Sequence, residues 1–166
     1  MVWRRMRVVR KTGGKGGVSY TVTIPEEIYK AMGMPSEVLV DFVGGEMRVR
    51  PAPAIREAQG RLGDERAERL LKVLEGPPLR IETLDSIRRA LERDRPTLIA
   101  VRCGSIAYYT RDDEIRQHAY PEGLCDTAAR VIAETLGADP EKLAKHLING
   151  RTLLEITGPE IIIYKI

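Results

Sequence analysis

The sequence predicts a mixed α+β protein, and three observations carry that prediction. Residues 18–24 alternate Val18, Tyr20, Val22 and Ile24 against Ser19, Thr21 and Thr23, the period of a half-buried strand. Leu124, Ala128, Val131, Ile132 and Leu136 recur at the spacing of an amphipathic helix. Two-residue turn signals, Gly44-Gly45 and Gly104-Ser105, separate apolar runs and predict hairpins.

Taken in chain order, Met6 to Arg10 forms a first strand and Val18 to Ile24 a second. Pro25 stands at a first helical position, where a missing N–H costs nothing, and Glu26 and Glu27 suit the first turn. Ile28, Ala31 and Met32 make the apolar face of a short helix that Gly33 stops. The run "EVLVDFVGGEMRVRP" follows as a hairpin. Residues 53–61, within "PAPAIREAQGRLGD", read as a linker stiffened by proline and interrupted by glycine.

Beyond it, Asp64 caps a helix with Ala67, Leu70, Leu71 and Leu74 on one face, ended at Gly76. "LRIE" is a short strand, and Leu84, Ile87 and Leu91 mark another helix. "TLIAVRCGSIAYYT" is a hairpin. The helix at 124–136 ends at Gly137, and Asp139-Pro140-Glu141 starts one that Gly150 ends. "TLLEITGPEIIIYKI" is a closing hairpin. Helices on one side of an antiparallel sheet are expected for this second domain, residues 62–166.

The stretch "KTGGKGGVSYTVTIP" raises a chemical question, because glycine–lysine clusters often cradle phosphate. A nucleotide loop places its lysine directly before Ser or Thr and opens a helix there. Here Gly16 and Gly17 follow Lys15, and a strand follows them, so no helix N-terminus faces a phosphate. The nucleic-acid backbone remains. Residues 1–50 carry a net charge of +4 and the remainder −1; before Glu26 there are six cations and no anion. Such asymmetry favours a polyanionic partner. Fifty residues with one short helix also bury too little to stand alone, so this unit requires a second copy to complete its core.

These residues carry a family resemblance. "VRK", a glycine-bearing loop, "VTIPEEI", "AMGM", "EVLV" and "GGEMRVRP" resemble the AbrB/MazE/SpoVT swapped-hairpin DNA-binding domain over roughly residues 5–52. The resemblance implies a β-barrel-like dimer of interlocked hairpins in domain 1–52, with a basic face on double-stranded DNA. Carried over, Arg10 and Lys11 match the basic pair ending the family's first strand, and Lys30 matches one of two cations on the short helix. Tyr29 replaces the other, and Val18 and Ser19 stand where a cation often precedes the second strand. Lys15 in the enlarged loop substitutes. With Arg5 and Arg7 these residues make up the expected DNA-binding set. The resemblance implies a transcriptional regulator, a homodimer or a tetramer of two dimers, whose second domain senses an unidentified small-molecule effector or assembles dimers. An antitoxin-like regulator is a variant, and an enzyme that uses the N-terminal unit for oligomerisation is the alternative.

No nucleophile elbow, paired-carboxylate signature or H-E-x-x-H is present, so no catalytic residue, cofactor or metal is assigned and no enzyme is expected. Asp112, Asp113 and Glu114 read as a solvated loop, and His118 as a surface or partly buried histidine near a turn; Tyr108, Tyr109 and Tyr120 could line a pocket. Cys103 and Cys125 have no metal-ligand spacing and are either small buried hydrophobes or a disulfide, which a thermophile's cytoplasm permits. A thermophile's composition is suggested by only three side-chain amides, Asn149, Gln59 and Gln117. With no apolar run of spanning length and no secretory core, a cytoplasmic protein without a membrane partner is expected.

Overall fold

A computed structural model describes residues 8–12, 18–35, 37–60, 62–77, 80–158 and 160–166. The chain divides into two compact units, Met1–Ser36 and Glu37–Ile166.

In the first unit β1 (Val8–Thr12) and β2 (Val18–Val22) form an antiparallel hairpin, with Val8 opposite Val22 and Thr12 opposite Val18. Helix α1 (Glu26–Ala31) follows Pro25, whose carbonyl accepts from the Ile28 and Tyr29 amides. Gly33, at φ +84°, and Met34, at φ +51°, turn the chain out of the helix, and the Tyr29 hydroxyl donates to the Pro35 carbonyl at 2.9 Å. None of the α1 residues is buried.

The second unit begins with the hairpin β3 (Val38–Val43) and β4 (Glu46–Pro51). Gly44 and Gly45 both adopt positive φ, as a two-residue turn of this hand requires. This hairpin, expected with the N-terminal domain, groups instead with the C-terminal residues. Arg50 shows why: its guanidinium lies against the backbone at Gly137, so close that a Cβ there would meet Nη1 at 3.2 Å. Lys142 pairs with Glu37 in the same region.

The expected linker contains a strand. β5 (Ala54–Glu57) pairs in parallel with β10 (Glu160–Lys165), and Ile55 packs against the main core. Prolines at 51 and 53 favour extended backbone, which an edge strand accepts as readily as a linker does. The remaining elements are α2 (Glu65–Glu75), α3 (Leu84–Asp94), β6 (Leu98–Arg102), β7 (Ser105–Tyr109), β8 (Ile115–Ala119), α4 (Cys125–Thr135), α5 (Pro140–Leu147) and β9 (Thr152–Ile156). Asp64, Thr83 and Asp139 cap α2, α3 and α5 through their side-chain oxygens.

Apart from the two hairpins, the strands form one six-stranded sheet in the order β5-β10-β9-β6-β7-β8, antiparallel except for the β5–β10 edge. Because side chains alternate along each strand, the two faces carry separate cores. Ile99, Val101, Ile106, Tyr108, Leu154 and Ile163 face one layer with α3, α4 and α5. Leu98, Ala100, Ala107, Tyr109 and Leu153 face Ala67, Leu70 and Leu74 of α2. Helices therefore cover both faces, correcting the one-sided arrangement expected from sequence. The near-continuous apolar run "LIAV" is what a strand buried on both faces carries, whereas a one-sided strand alternates apolar and polar residues.

Among the described residues no closed barrel occurs, and no helix is long and apolar enough to cross a membrane.

Candidate functional site

The residues expected at DNA are only partly described. Arg5, Arg7 and Lys15, with the glycine loop, lie outside the described residues. Arg10 and Lys11 stand on β1, paired in register with Tyr20 and Ser19. Lys30 is exposed on α1 and forms an i, i+4 pair with Glu26 at 2.9 Å. Such a surface pair is weak and leaves the ammonium available to a stronger anion.

Apolar side chains are exposed in each unit. Ile24, Ile28 and Met34 are exposed in the first unit. On the second, Val40 opposes Val49 across β3–β4, and both are exposed, as is Met47. All six residues of β4 are exposed.

The C-terminal unit holds a polar relay within its core. Tyr108 on β7 is fully buried, and its hydroxyl lies 2.7 Å from Asp94 Oδ2 and 3.1 Å from His118 Nε2. His118 lies one residue before the end of β8 and is buried, and its Nδ1 is 2.5 Å from Glu82 Oε2. Glu82 is held there because its own amide donates to the Ala119 carbonyl at 2.8 Å, beside the Ile81–Ala119 bridge. Asp94 closes the chain, with Arg93 at 3.2 Å and Arg116 at 3.4 Å. Burial pushes the Asp94 carboxyl up, but hydrogen bonds from Arg93 and Tyr108 and the charges of Arg116 and Arg93 together outweigh it and hold it low. Burial first, then the Asp94 contact, push the Tyr108 phenol up, so it stays protonated.

Tyr108 has one proton to give, and it goes to the ionised Asp94, which leaves the phenol oxygen as an acceptor facing His118 Nε2.

Sequence reasoning singled out Tyr108 and His118 separately but missed Glu82 and Asp94. These acids sit at either end of α3 and meet β7 and β8 only through tertiary packing. The three tyrosines do not share a pocket: Tyr108 and Tyr120 lie in one core and Tyr109 in the other. Asp113, at φ +59°, lies in the β7–β8 turn and pairs with Arg66 at 3.1 Å. Cys103 and Cys125 form a disulfide, with Cα atoms 5.3 Å apart, tying the β6–β7 turn to the start of α4. Among the described residues no cluster of three or more His, Cys, Asp or Glu is placed to hold a metal. No family model, curated protein or solved structure matches the chain.

Proposed function

We propose that this chain is a homodimeric DNA-binding transcriptional regulator of the AbrB/SpoVT type, whose C-terminal unit senses a ligand or assembles dimers. The observation that carries the reading is the charge of the N-terminal segment, six cations before the first acid, on a stretch patterned as strands. The β1–β2 hairpin and α1 supply the order of elements that the resemblance implies. The exposed apolar residues of α1, β3 and β4 support a second copy as partner, since these short elements bury little within one chain.

A two-fold dimer presents twelve of these cations. If half reach phosphates, log affinity falls against log salt with a slope of about −5. Lys15→Ala should weaken binding to all duplexes by similar factors, because a loop lysine meets phosphate rather than bases. Arg10→Ala should in addition relax sequence preference, because arginine also pairs with guanine edges. The measurement is a titration of wild type and both variants against several duplexes at two salt concentrations. Affinity that ignores salt, or variants that bind as wild type, would defeat the DNA-binding reading.

A further inference from the structure

Helix α2 covers only part of its face of the sheet. It packs mainly on β6, β7 and β8, and meets β9 only at Leu153 and β10 at Tyr164 among the described residues. Its two flanks differ accordingly. On the flank toward β7–β8, Arg66 lies over the Tyr109 ring at 4.5 Å and pairs with Asp113. On the other flank, Glu68, Leu71, Lys72 and Glu75 recur at helical spacing along a cleft of about 250 Å³.

The floor of this cleft is apolar, made by Leu62, Leu71, Leu153, Tyr164 and Ile166. Its rim is charged. Glu75 is engaged by Arg151. Glu68 and Lys72 stand at i, i+4 with the acid N-terminal, the favoured order for a helical ion pair. They nevertheless form no ion pair with each other or with any other described residue. One free anion and one free cation thus sit side by side above an apolar pocket.

We infer that this cleft binds a free α-amino acid with a branched or aromatic apolar side chain. Lys72 would take its carboxylate, Glu68 its ammonium, and Leu62, Leu71, Leu153 and Tyr164 its side chain. A simple hydrocarbon would leave both rim charges unanswered, and a fatty carboxylate would set its charge beside Glu68. The volume is below the roughly 300 Å³ at which drug-sized sites begin, which suits a single amino acid. The inference names a ligand class for the sensing role proposed above, and its test needs no DNA.

The experiment is calorimetric titration of the full chain with L-leucine and L-phenylalanine. The comparators are 4-methylpentanoate, which lacks the ammonium, 3-methylbutylamine, which lacks the carboxylate, and glycine, which lacks the side chain. Saturable binding of leucine or phenylalanine is expected, with each comparator at least about tenfold weaker. Lys72→Gln and Glu68→Gln should each weaken binding roughly tenfold or more, without changing the melting temperature of the unliganded protein, because both positions are exposed. Absence of saturable binding by either amino acid would overturn the inference. So would 4-methylpentanoate or 3-methylbutylamine binding as tightly as leucine, or variants indistinguishable from wild type. Amino-acid binding by a protein that ignores DNA would keep the inference and remove the regulatory reading, so the two failures are distinguishable.

Discussion

Tyr108 illustrates how one hydroxyl joins a carboxylate and an imidazole that the sequence keeps apart. Removing it leaves His118 Nε2 without its hydrogen-bond partner, and an unsatisfied buried polar group costs about 1–3 kcal/mol. Tyr108→Phe should therefore destabilise the protein by about that amount in urea unfolding. Asp94 adds a pH dependence whose sign follows from its lowered pKa. Its stabilising contribution is present above its ordinary value of 3.8 and is lost as pH falls through the lower folded value. Wild type should lose stability steeply in that acid range, whereas Asp94→Asn should be less stable at neutral pH and lose less on acidification. Unfolding curves at closely spaced acidic pH values check this, and parallel curves would refute the role of Asp94.

Among the elements, the β6–β7 hairpin and α4 are joined most tightly, because the disulfide fastens Cys103 to Cys125 across 22 residues of sequence. Closing a loop of that size restricts the unfolded chain, a stabilisation of roughly 3 kcal/mol in the chain-entropy account. Reductant should lower the melting temperature of wild type and leave a Cys103→Ser, Cys125→Ser double variant unaffected. Equal melting with and without reductant in wild type would show that the bond contributes nothing. Gly104, beside Cys103, belongs to the same device. Its φ of +94° suits glycine, and a Cβ would approach Glu122 Cγ at 3.1 Å, so the turn has little tolerance for substitution.

For the whole molecule, the apolar residues outside the two cores set the expectation for assembly. Val40 and Met47 are more than half exposed, so charged residues there should not disturb a single chain's packing. In a dimer joined through these strands they would be buried. Val40→Glu together with Met47→Glu should convert the full chain from dimer to monomer in sedimentation while leaving its far-UV circular dichroism unchanged. A wild-type monomer would defeat the dimer itself, and a double variant that still sediments as a dimer would move the interface away from β3–β4.

Local signals were readable wherever a residue's role depends on its near neighbours. Asp64 and Asp139 as caps, Gly44-Gly45 as a turn, Gly33 and Gly137 as helix ends, and the closing hairpin all appear where the pattern put them. Capping, turn geometry and apolar periodicity act over a few residues, so the chain carries them openly. The charge contrast between residues 1–25 and the rest is likewise a property of composition. What depended on tertiary packing was which distant segments meet. "AIRE" became an edge strand because β10 offers a parallel partner and Ile55 a place in the core. α2 crossed to the opposite face from α3, α4 and α5, and β8 aligned His118 between Glu82 and Tyr108. Each is a long-range contact selected by the burial of two sheet faces at once, and no one segment specifies which distant segment covers which face.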